Sequence, residues 1–410
     1  MYSLAIYLYM LCANVAALFN KKARLLMRGH RQTWKILRRE IDADADYIWF
    51  HAASLGEFEQ GRPLIELIRA RFPEQKILLT FFSPSGYEVR KDYKGADVCC
   101  YLPFDTMLNS RKFMRLARPK MAFFIKYEFW QNYLTRLSER GVPTYSISSI
   151  FRPNQIFFRR YGKHYAEVLR CFTHLFVQNE ESRQLLATKG IANVTVVGDT
   201  RLDRVLTTVR AAKEFPTIKA FAQGAEQVMI AGSSWPDDEG FLIDYFNAHR
   251  GQKLILAPHV VDEGHLREIE SRLKRSSLRL SKATEAAAAQ ADCLIIDCYG
   301  VLAGAYRYAT IAYVGGGFGV GIHNVPEAAV YGIPVIIGPN NGKFKEAQDL
   351  KQVGGVFEIA TKEAYAPLMD RLTAEPQLIA EAGERAGQYI RSNSGAVLKI
   401  FDSIFQPKKA

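Results

Sequence analysis

Three charged residues stand where an apolar run of the sequence gives way to a turn. Glu57 closes the segment HAASLGE, Glu128 lies in YEFW, and Arg201 lies in GDTRLD. A carboxylate at such a turn can accept a proton from a substrate hydroxyl. A guanidinium there can hold a phosphate or the charge of a leaving group.

Each of these residues also has a structural interpretation that the sequence leaves open. Glu57 can simply complement the dipole of the helix that follows it. Glu128 can belong to a capped helix start, and Arg201 can pair with Asp203.

A second candidate site is the glycine-rich stretch at residues 313–339, YVGGGFGVGIHNVPEAAVYGIPVIIGP. It predicts a strand, a loop, a helix that begins near residues 324–327 with Pro326 in its first turn, and another strand. Glycine lets a backbone approach a ligand closely, and a helix start offers N–H groups to an anion. The pattern indicates a nucleotide phosphate site in which Glu327 receives ribose hydroxyls. An ordinary strand-to-helix turn has the same signature.

Other turns in the second half of the chain carry polar groups or glycine directly after an apolar run. They are Ser233 and Ser234, Pro258 and His259, and Tyr299, Gly300 and Val301. If the apolar runs are strands of one parallel sheet, these turns meet at its carboxyl edge, where nucleotides bind. Their convergence favours a nucleotide site over an ordinary turn.

Several classes of site lack their signatures. The eight histidines form no HxxxH or HExxH pair, Ser54 has no GxSxG elbow, and there is no GxxxxGK[ST] loop. We therefore expect no metal site, no hydrolase triad and no P-loop. The six cysteines show no CxxC pair, so we expect free, mostly buried thiols in a reducing compartment.

The net charge of the chain further limits the kinds of partner that we expect. The 410 residues include 54 Lys and Arg against 42 Asp and Glu, a formal charge of +12. A basic protein favours nucleic acid, an anionic membrane surface or a phosphorylated substrate. Since no nucleic-acid-binding motif or long basic tract is present, we expect no nucleic-acid partner.

The elements that must position these residues follow an α/β rhythm. Twelve apolar runs predict strands at residues 47–51, 76–82, 98–102, 121–126, 144–148, 171–178, 193–198, 228–231, 253–257, 292–297, 311–314 and 334–337. Helix-length segments separate them, which indicates doubly wound parallel sheets. We predict two Rossmann-like domains facing a cleft, at residues 23–210 and 211–385. The last helix, residues 379–405, would return towards the first domain, with residues 386–410 forming that return.

The first 20 residues carry no charge, and Lys21, Lys22, Arg24, Arg28 and Arg31 follow at once. This length is at the lower edge for a membrane span, and the positive-inside rule keeps the basic end cytoplasmic. We predict a membrane-anchor helix at residues 1–22. Whether it crosses the bilayer or lies in its face remains open, and a buried core helix is the other alternative.

Taken together, these segments resemble the 3-deoxy-D-manno-octulosonic acid (Kdo) transferases of lipopolysaccharide biosynthesis. The resemblance rests on HAASLGE, LLTFFSPSGYE, YEFWQN, VQNEESRQLLATKG, VTVVGDTRLD, GSSWPDDE, LILAPH, YVGGG, HNVPEAA and IPVIIGPNNGKFKEA, in that order. It implies a GT-B glycosyltransferase of the inner membrane with its catalytic domains on the cytoplasmic side. The enzyme would transfer Kdo from CMP-Kdo to a lipid A precursor (lipid IVA) with inversion.

The resemblance also implies roles for individual residues. Glu57 would be the general base, with Glu128 and Arg201 stabilising the transition state. Expected donor contacts are Ser233, Ser234, Pro258, His259, Tyr299, Gly300, Val301, Gly317, His323, Asn324, Val325, Pro326 and Glu327. No cofactor or metal is expected.

The chain departs from the family pattern at a few of these positions. Pro258-His259-Val260 replaces Pro-Arg-His, and Lys126 replaces an acidic residue. A transferase using another nucleotide sugar and a non-catalytic, membrane-bound nucleotide-sugar binder are the alternative interpretations.

Overall fold

The computed structural model describes residues 2–406, without the side chains of residues 163 and 164. The chain forms two compact units, Met1–Arg204 with Gly395–Ala410, and Val205–Ser394. The predicted domain boundary after residue 210 therefore lies a few residues too late, because the division falls inside one continuous helix, Thr200–Ala211.

The first unit contains a seven-stranded parallel sheet in the order β3-β2-β1-β4-β5-β6-β7. Its strands are β1 Tyr47–Ala52, β2 Lys76–Phe81, β3 Val98–Tyr101, β4 Pro119–Ile125, β5 Thr144–Ser149, β6 His174–Val177 and β7 Val194–Val196. Every residue of β1 is buried, as expected for a central strand with helices on both faces of the sheet.

The helices that cover this sheet include two that precede it. They are α1 Tyr2–Phe19, α2 Lys21–Glu40, α3 Leu55–Arg71, α4 Pro84–Arg90, α5 Met107–Ala117, α6 Gln131–Glu139, α7 Lys163–Ala166 and α8 Glu180–Ala187. Short 3-10 turns occupy Ile156–Phe158, Arg160–Gly162 and Glu167–Cys171. The predicted anchor helix at residues 1–22 ends earlier than expected, because Asn20 leaves the helical conformation and caps α2.

The second unit contains another seven-stranded parallel sheet, in the order β10-β11-β9-β8-β12-β13-β14. Its strands are β8 Val228–Ser234, β9 Lys253–Pro258, β10 Ser277–Arg279, β11 Cys293–Ile295, β12 Ile311–Val314, β13 Val335–Ile337 and β14 Val356–Glu358. The twelve predicted strands are present in the two sheets. The short strands β10 and β14, which form the two edges of this sheet, were not predicted from the sequence.

The remaining helices are α9 Thr200–Ala211, α10 Pro216–Ala222, α11 Pro236–Ala248, α12 Glu263–Arg272, α13 Glu285–Gln290, α14 Leu302–Ala305, α15 Val325–Ala329, α16 Lys345–Gln352, α17 Tyr365–Ala374, α18 Pro376–Ser392 and α19 Ala396–Phe405. The 3-10 turns here are Leu280–Lys282, Tyr306–Tyr308 and Lys362–Ala364. The prediction of one helix over residues 379–405 is wrong. Gly395 adopts φ +94° between α18 and α19, a conformation that ends a right-handed helix.

Strand order fixes where each unit can bind a ligand. In the first sheet the order reverses between β1 and β4, and in the second it reverses between β8 and β12. Crevices at the carboxyl ends of the strands open at such reversal points. The turns that carry Glu57 and Glu128 follow β1 and β4, while GSSW and the glycine-rich loop follow β8 and β12.

Candidate active site

In the first unit, Glu57 lies in the first turn of α3, just beyond the carboxyl end of β1. Its Oε2 accepts a hydrogen bond of 2.6 Å from the backbone N–H of Ala53. The carboxylate thus serves the helix start, as the structural interpretation of the sequence proposed. The same bond holds the carboxylate at the edge of the sheet.

Glu128 follows β4 on the other side of the reversal point. Between the end of β4 and Glu128, Lys126 adopts φ +67°, while its N–H still donates to the carbonyl of Ile147. A left-handed conformation is costly for a residue with a side chain and recurs at functional sites. The turn leaves the Glu128 carboxylate largely buried, where its Oε2 accepts the indole N–H of Trp130 at 2.6 Å.

His51, at the end of β1, connects Glu128 to the interior of the sheet. Its Nε2 lies 3.0 Å from Glu128 Oε2, and its Nδ1 lies 3.2 Å from the carbonyl oxygen of Thr80. Because a carboxylate can only accept, the ring hydrogen lies on Nε2, and Nδ1 can accept from the hydroxyl of Thr80. The Thr80 hydroxyl is 2.9 Å from the same nitrogen and receives the indole N–H of Trp49. This buried chain fixes the ring and, through it, Glu128.

The electrostatics of the two glutamates are linked. Burial and, second, the negative charge of Glu128 raise the pKa of Glu57 to about 7, while the Ala53 N–H and Lys126 oppose the shift. A carboxylate whose pKa lies near neutrality can both take up and release a proton at physiological pH, which is what a general base requires.

A cavity of about 300 Å³ adjoins Glu128. Its walls are mostly aromatic, and two of the lining residues, Tyr2 and Ile6, belong to α1. The other lining residues are Tyr127, Phe129, Trp130, Gln155, Phe157 and Tyr165. An apolar cavity beside a carboxylate is suited to an amphiphilic molecule.

Arg201 lies at the start of α9, where Asp199 is one of its carboxylate partners. Its Nε and Nη2 donate to Asp199 Oδ2 at 2.9 and 2.6 Å. Asp203 accepts the backbone N–H of Gly395 at 2.8 Å, at the start of α19. This arrangement orients Arg201 through its neighbour in sequence.

In the second unit, β8 ends at the motif GSSW, where Ser233 adopts φ +52°. The Ser234 hydroxyl is buried and donates to Glu239 Oε1 at 2.9 Å. The other oxygen of Glu239 lies 2.7 Å from His265 Nε2. Ser234 therefore has a structural partner and is held below the surface of the turn.

Asp238, at the start of α11, ties this turn to the glycine-rich loop. It accepts the N–H of Trp235 at 3.0 Å, the N–H of Gly316 at 2.9 Å and the Tyr313 hydroxyl at 2.6 Å. One buried carboxylate thus joins the two segments on either side of the reversal point between β8 and β12.

Three rings stack beside these segments. The ring centroids of Trp235 and His259 are 4.6 Å apart, and those of His259 and His323 are 4.5 Å apart. The Trp235 indole N–H donates to His323 Nε2 at 3.2 Å, so that nitrogen is unprotonated. Burial and, second, His259 lower the pKa of His323, in agreement with this hydrogen bond.

The glycine-rich loop needs its glycines for close packing. Gly316 has φ +90°, and a Cβ there would lie 2.3 Å from the carbonyl oxygen of Gly321. A Cβ on Gly317 would lie 2.6 Å from the backbone of Gly338. The loop therefore folds tightly against the start of the next segment.

The predicted helix after this loop is confirmed, but it is only five residues long, Val325–Ala329, with Pro326 in its first turn. The Asn324 amide donates to Glu327 Oε1 at 2.7 Å. These two side chains act as one polar group at the helix start.

The turn of Tyr299, Gly300 and Val301 lies beside the segment that follows His259. The N–H of Val261 donates to the Tyr299 hydroxyl at 3.4 Å, and the Tyr299 side chain is exposed. Gly300 has φ +86°, and Val301 precedes α14. This turn presents mainly backbone and an exposed ring.

Sequence reasoning missed four buried residues that organise the two sites, His51, Thr80, Asp238 and Glu239, and the partly buried His265. His51, Asp238 and Glu239 lie inside the conspicuous segments HAASLGE and GSSWPDDE. Only the fold shows that they bond to residues far away in the sequence. Within residues 2–406, no group of three or more His, Cys, Asp or Glu side chains could hold a metal ion.

The cysteines and the N-terminal helix also bear on the predictions. All six cysteines are free, and Cys12 and Cys298 are exposed, so the expectation of mostly buried thiols holds fully only for Cys100 and Cys293. Among the described helices, α1 alone is long and apolar enough to cross a membrane, judged by length and composition.

Comparison with solved structures supports the fold. The chain is similar to the UDP-GlcNAc 2-epimerase of Neisseria meningitidis, with a TM-score of 0.57 at 12% identity over 86% of this chain and 100% of that one. At such low identity the likeness concerns the fold alone, and it confirms the predicted GT-B class.

Comparison of sequences is more specific. Residues 23–204 match the family model described as 3-deoxy-D-manno-octulosonic-acid transferase (kdotransferase). The chain is 26% identical to the 3-deoxy-D-manno-octulosonic acid transferase of Bordetella pertussis over 87% of this chain and 86% of that protein. It is 25% identical to the enzyme of the same name from Aquifex aeolicus over 82% and 89% of the two chains. The chain therefore carries a match to the Kdo transferase family model at residues 23–204 and is similar to Kdo transferases over most of its length.

Proposed function

We propose that this protein transfers Kdo from CMP-Kdo to a hydroxyl of the lipid A precursor lipid IVA, with inversion at the anomeric carbon. The reaction would take place at the cytoplasmic face of the inner membrane, with α1 associated with the lipid. The similarity to Kdo transferases supports the sugar and the reaction class, and the apolar helix α1 supports the membrane association.

The observation that carries the proposal is the pair Glu57 and Glu128. Glu57 takes the proton from the acceptor hydroxyl as its oxygen bonds to the anomeric carbon of Kdo. The bond from that carbon to the CMP phosphate oxygen breaks, and its electrons leave with CMP. The pKa of Glu57, raised to about 7 by burial and by Glu128, suits this role.

Glu128 has a second role in the proposed reaction. The sugar ring develops positive charge as the bond to phosphate breaks, and a carboxylate held in one position stabilises that charge. His51 and Trp130 hold Glu128 in this way. Arg201 would neutralise the departing phosphate, with Asp199 holding its guanidinium.

The second unit would bind the donor. The backbone of Ser233, Ser234 and Gly317 would lie near phosphate, and the ring of His259 or His323 would contact the nucleotide. The remaining proposed donor contacts are Pro258, Tyr299, Gly300, Val301, Asn324, Val325, Pro326 and Glu327. The reaction is proposed to need no metal, because backbone N–H groups and Arg201 supply the positive field at the phosphate.

Product analysis tests the proposal. Purified protein is incubated with CMP-Kdo and tetraacyl lipid A precursor, and the glycolipid is examined by mass spectrometry and by NMR for anomeric configuration. The expected product carries Kdo of inverted configuration. A folded protein that forms no such product, yet transfers sugar from another nucleotide sugar, would contradict the proposed donor.

A further inference from the structure

The first two helices form an antiparallel hairpin. Asn20, between them, accepts the N–H of Lys22 at 2.8 Å and caps α2. Arg24 donates to the carbonyls of Ala17 and Leu18 at the end of α1. About two helical turns further along α2, Arg31 donates to the Asn14 side chain at 3.3 Å. Because α2 runs back alongside α1, both helices would occupy the same range of depth in a membrane that α1 entered.

One face of α1 packs on the first unit from end to end. This inner face repeats at helical spacing: Ile6, Met10, Ala13 and Ala17. It contacts a cluster that contains Leu26, Met27, Tyr101 and Phe104. At the N-terminal end, the Tyr2 hydroxyl donates to Asp105 Oδ2 at 2.6 Å. The helix is therefore part of the folded unit.

The opposite face of α1 is apolar and exposed. Its residues repeat at the same spacing, about half a helical turn away from the inner face, and each is more than half exposed: Leu4, Leu8, Leu11, Val15, Leu18 and Phe19. Met107 and Leu108, which follow Asp105 in the chain, are exposed as well. A continuous apolar stripe of this size on a folded protein marks a surface that contacts lipid or another protein.

The hairpin makes a membrane-crossing orientation of α1 unfavourable. Eighteen residues of helix span about 27 Å, slightly less than a bilayer core of about 30 Å. Eight of the twenty residues of α2 are basic. If α1 crossed the bilayer with its packing intact, these charges would enter the hydrocarbon, which is costly. An orientation parallel to the surface avoids this cost.

A groove between the two helices has a volume of about 650 Å³. One wall carries a basic stripe at spacings of four, three and four residues: Arg24, Arg28, Arg31 and Lys35. The other wall includes Ala17 and Leu18. Within residues 2–406, the four basic side chains form no ion pair with a carboxylate, so their charge faces the groove uncompensated.

We propose that the α1–α2 hairpin lies in the plane of the membrane and binds an anionic phospholipid in this groove. The phosphate of the headgroup contacts the basic stripe, and an acyl chain follows Leu18 and the exposed face of α1. This deepens the membrane association in the proposed function, although it does not depend on the Kdo chemistry. The cavity beside Glu128 contacts Tyr2 and Ile6 of α1, and the groove contacts Asn14, Ala17 and Leu18. By helical rise these contacts are about 12 to 24 Å apart, which favours a bulk phospholipid over the acceptor as occupant.

Vesicle binding by the full chain, without donor or acceptor, tests the charge requirement. We compare vesicles of phosphatidylcholine alone with vesicles containing about one third phosphatidylglycerol. Replacing Arg28 and Lys35 by Gln should weaken binding to the anionic vesicles about tenfold or more. The control removes two exposed charges elsewhere on the same unit, Lys94→Gln with Lys399→Gln, and should change it little. Equal effects of the two double variants would overturn the groove as the site.

Two further measurements separate the sources of phosphate and the orientations. Soluble short-chain phosphatidylglycerol should compete with the vesicles, and inorganic phosphate at the same concentration should not; equal competition would overturn a lipid ligand. In a background of Cys12→Ser with Cys298→Ser, which removes both exposed thiols, fluorophores on Leu4→Cys and Leu18→Cys should report the same shallow depth by lipid-borne quenchers. Depths that differ by much of the bilayer thickness would overturn the in-plane orientation. With detergent-dispersed acceptor, the variant with Gln at Arg28 and Lys35 should release CMP at the same rate as wild type. A failure of the lipid-binding proposal can therefore be distinguished from a failure of the proposed function.

Discussion

His51 Nε2 lies 3.0 Å from the same Glu128 oxygen that accepts the Trp130 indole N–H at 2.6 Å. The carboxylate is thus held from two sides, by a residue of β1 and by a residue that precedes α6. A charge held in place before reaction needs no reorganisation during it. Much of the proposed chemistry depends on this fixed position of Glu128 beside Glu57.

Removing one of the two donors should slow the reaction without unfolding the unit. Trp130→Phe keeps an aromatic ring but loses the hydrogen bond to Glu128. A hydrogen bond to a charged group contributes about 1.5–3 kcal/mol, so we expect kcat to fall about 10-fold to 100-fold. Trp34→Phe, on α2, is the matched control. Unchanged kcat in Trp130→Phe, measured by CMP release at saturating substrates, would show that this bond does not matter for turnover.

The pH dependence of the reaction should report the interaction between the two glutamates. The general base must be ionised, so kcat/KM should rise with pH through about 7 in the wild type. Glu128→Gln removes the negative charge that contributes to the raised pKa of Glu57. The acidic limb of its residual activity should therefore move to lower pH, while Glu139→Gln leaves it in place. A limb that stays at the same pH in Glu128→Gln would contradict the coupling.

The same shift predicts a pH-dependent effect on stability. Folding raises the pKa of Glu57 from 4.5 to about 7, so the folded state disfavours the ionised form. The resulting cost is absent below pH 4.5, grows between pH 4.5 and 7, and is complete above pH 7. Glu57→Gln, which keeps an acceptor for the Ala53 N–H, should raise Tm by a few degrees at pH 8 and change it little at pH 4.5.

Thermal unfolding of Glu57→Gln at the two pH values checks this prediction. The exposed Glu74→Gln serves as the control and should show no difference between them. A gain in Tm for Glu57→Gln that is the same at pH 4.5 and pH 8 would mean that ionisation of Glu57 is not its origin.

In the second unit, the same change at two glycines of one loop should be harmful at Gly316 and harmless at Gly319. Gly316→Ala places a methyl group 2.3 Å from the carbonyl of Gly321 at φ +90°, whereas a methyl group at Gly319 meets no atom within 4 Å. Gly316→Ala should therefore lower Tm and weaken CMP binding at least tenfold, and Gly319→Ala should do neither. Calorimetric titration with CMP measures the affinity of both variants, and thermal unfolding measures their Tm. Normal CMP affinity in Gly316→Ala would contradict the requirement for a tightly packed loop.

Much of this architecture could be predicted from the sequence because buried parallel strands are continuous apolar runs. Strands β10 and β14 were missed because each has only three residues and lies at a sheet edge, where part of it is exposed. The break at Gly395 was missed because α18 and α19 together have one long amphipathic pattern. Glycine at a helix end and glycine within a helix look alike without the backbone conformation.

The residues of the candidate sites also differ in whether the sequence alone reveals them. Glu57, Glu128 and the glycine-rich loop stand out because they end apolar runs. The partners that hold them do not, since His51 to Glu128 and Asp238 to Gly316 are separated by 77 and 78 residues. Only the strand order brings such residues together at the two reversal points.

The proposed reaction depends above all on Glu57, which deprotonates the acceptor as Kdo is transferred. The most direct measurement is CMP release from CMP-Kdo, with and without tetraacyl lipid A precursor, by wild type and by Glu57→Gln, together with CMP affinity for both. We expect acceptor-dependent release by wild type and unchanged CMP affinity in Glu57→Gln. The release by Glu57→Gln should fall at least 1,000-fold, roughly the scale of general-base catalysis. Acceptor-dependent release by Glu57→Gln at a rate near that of wild type would contradict this role of Glu57.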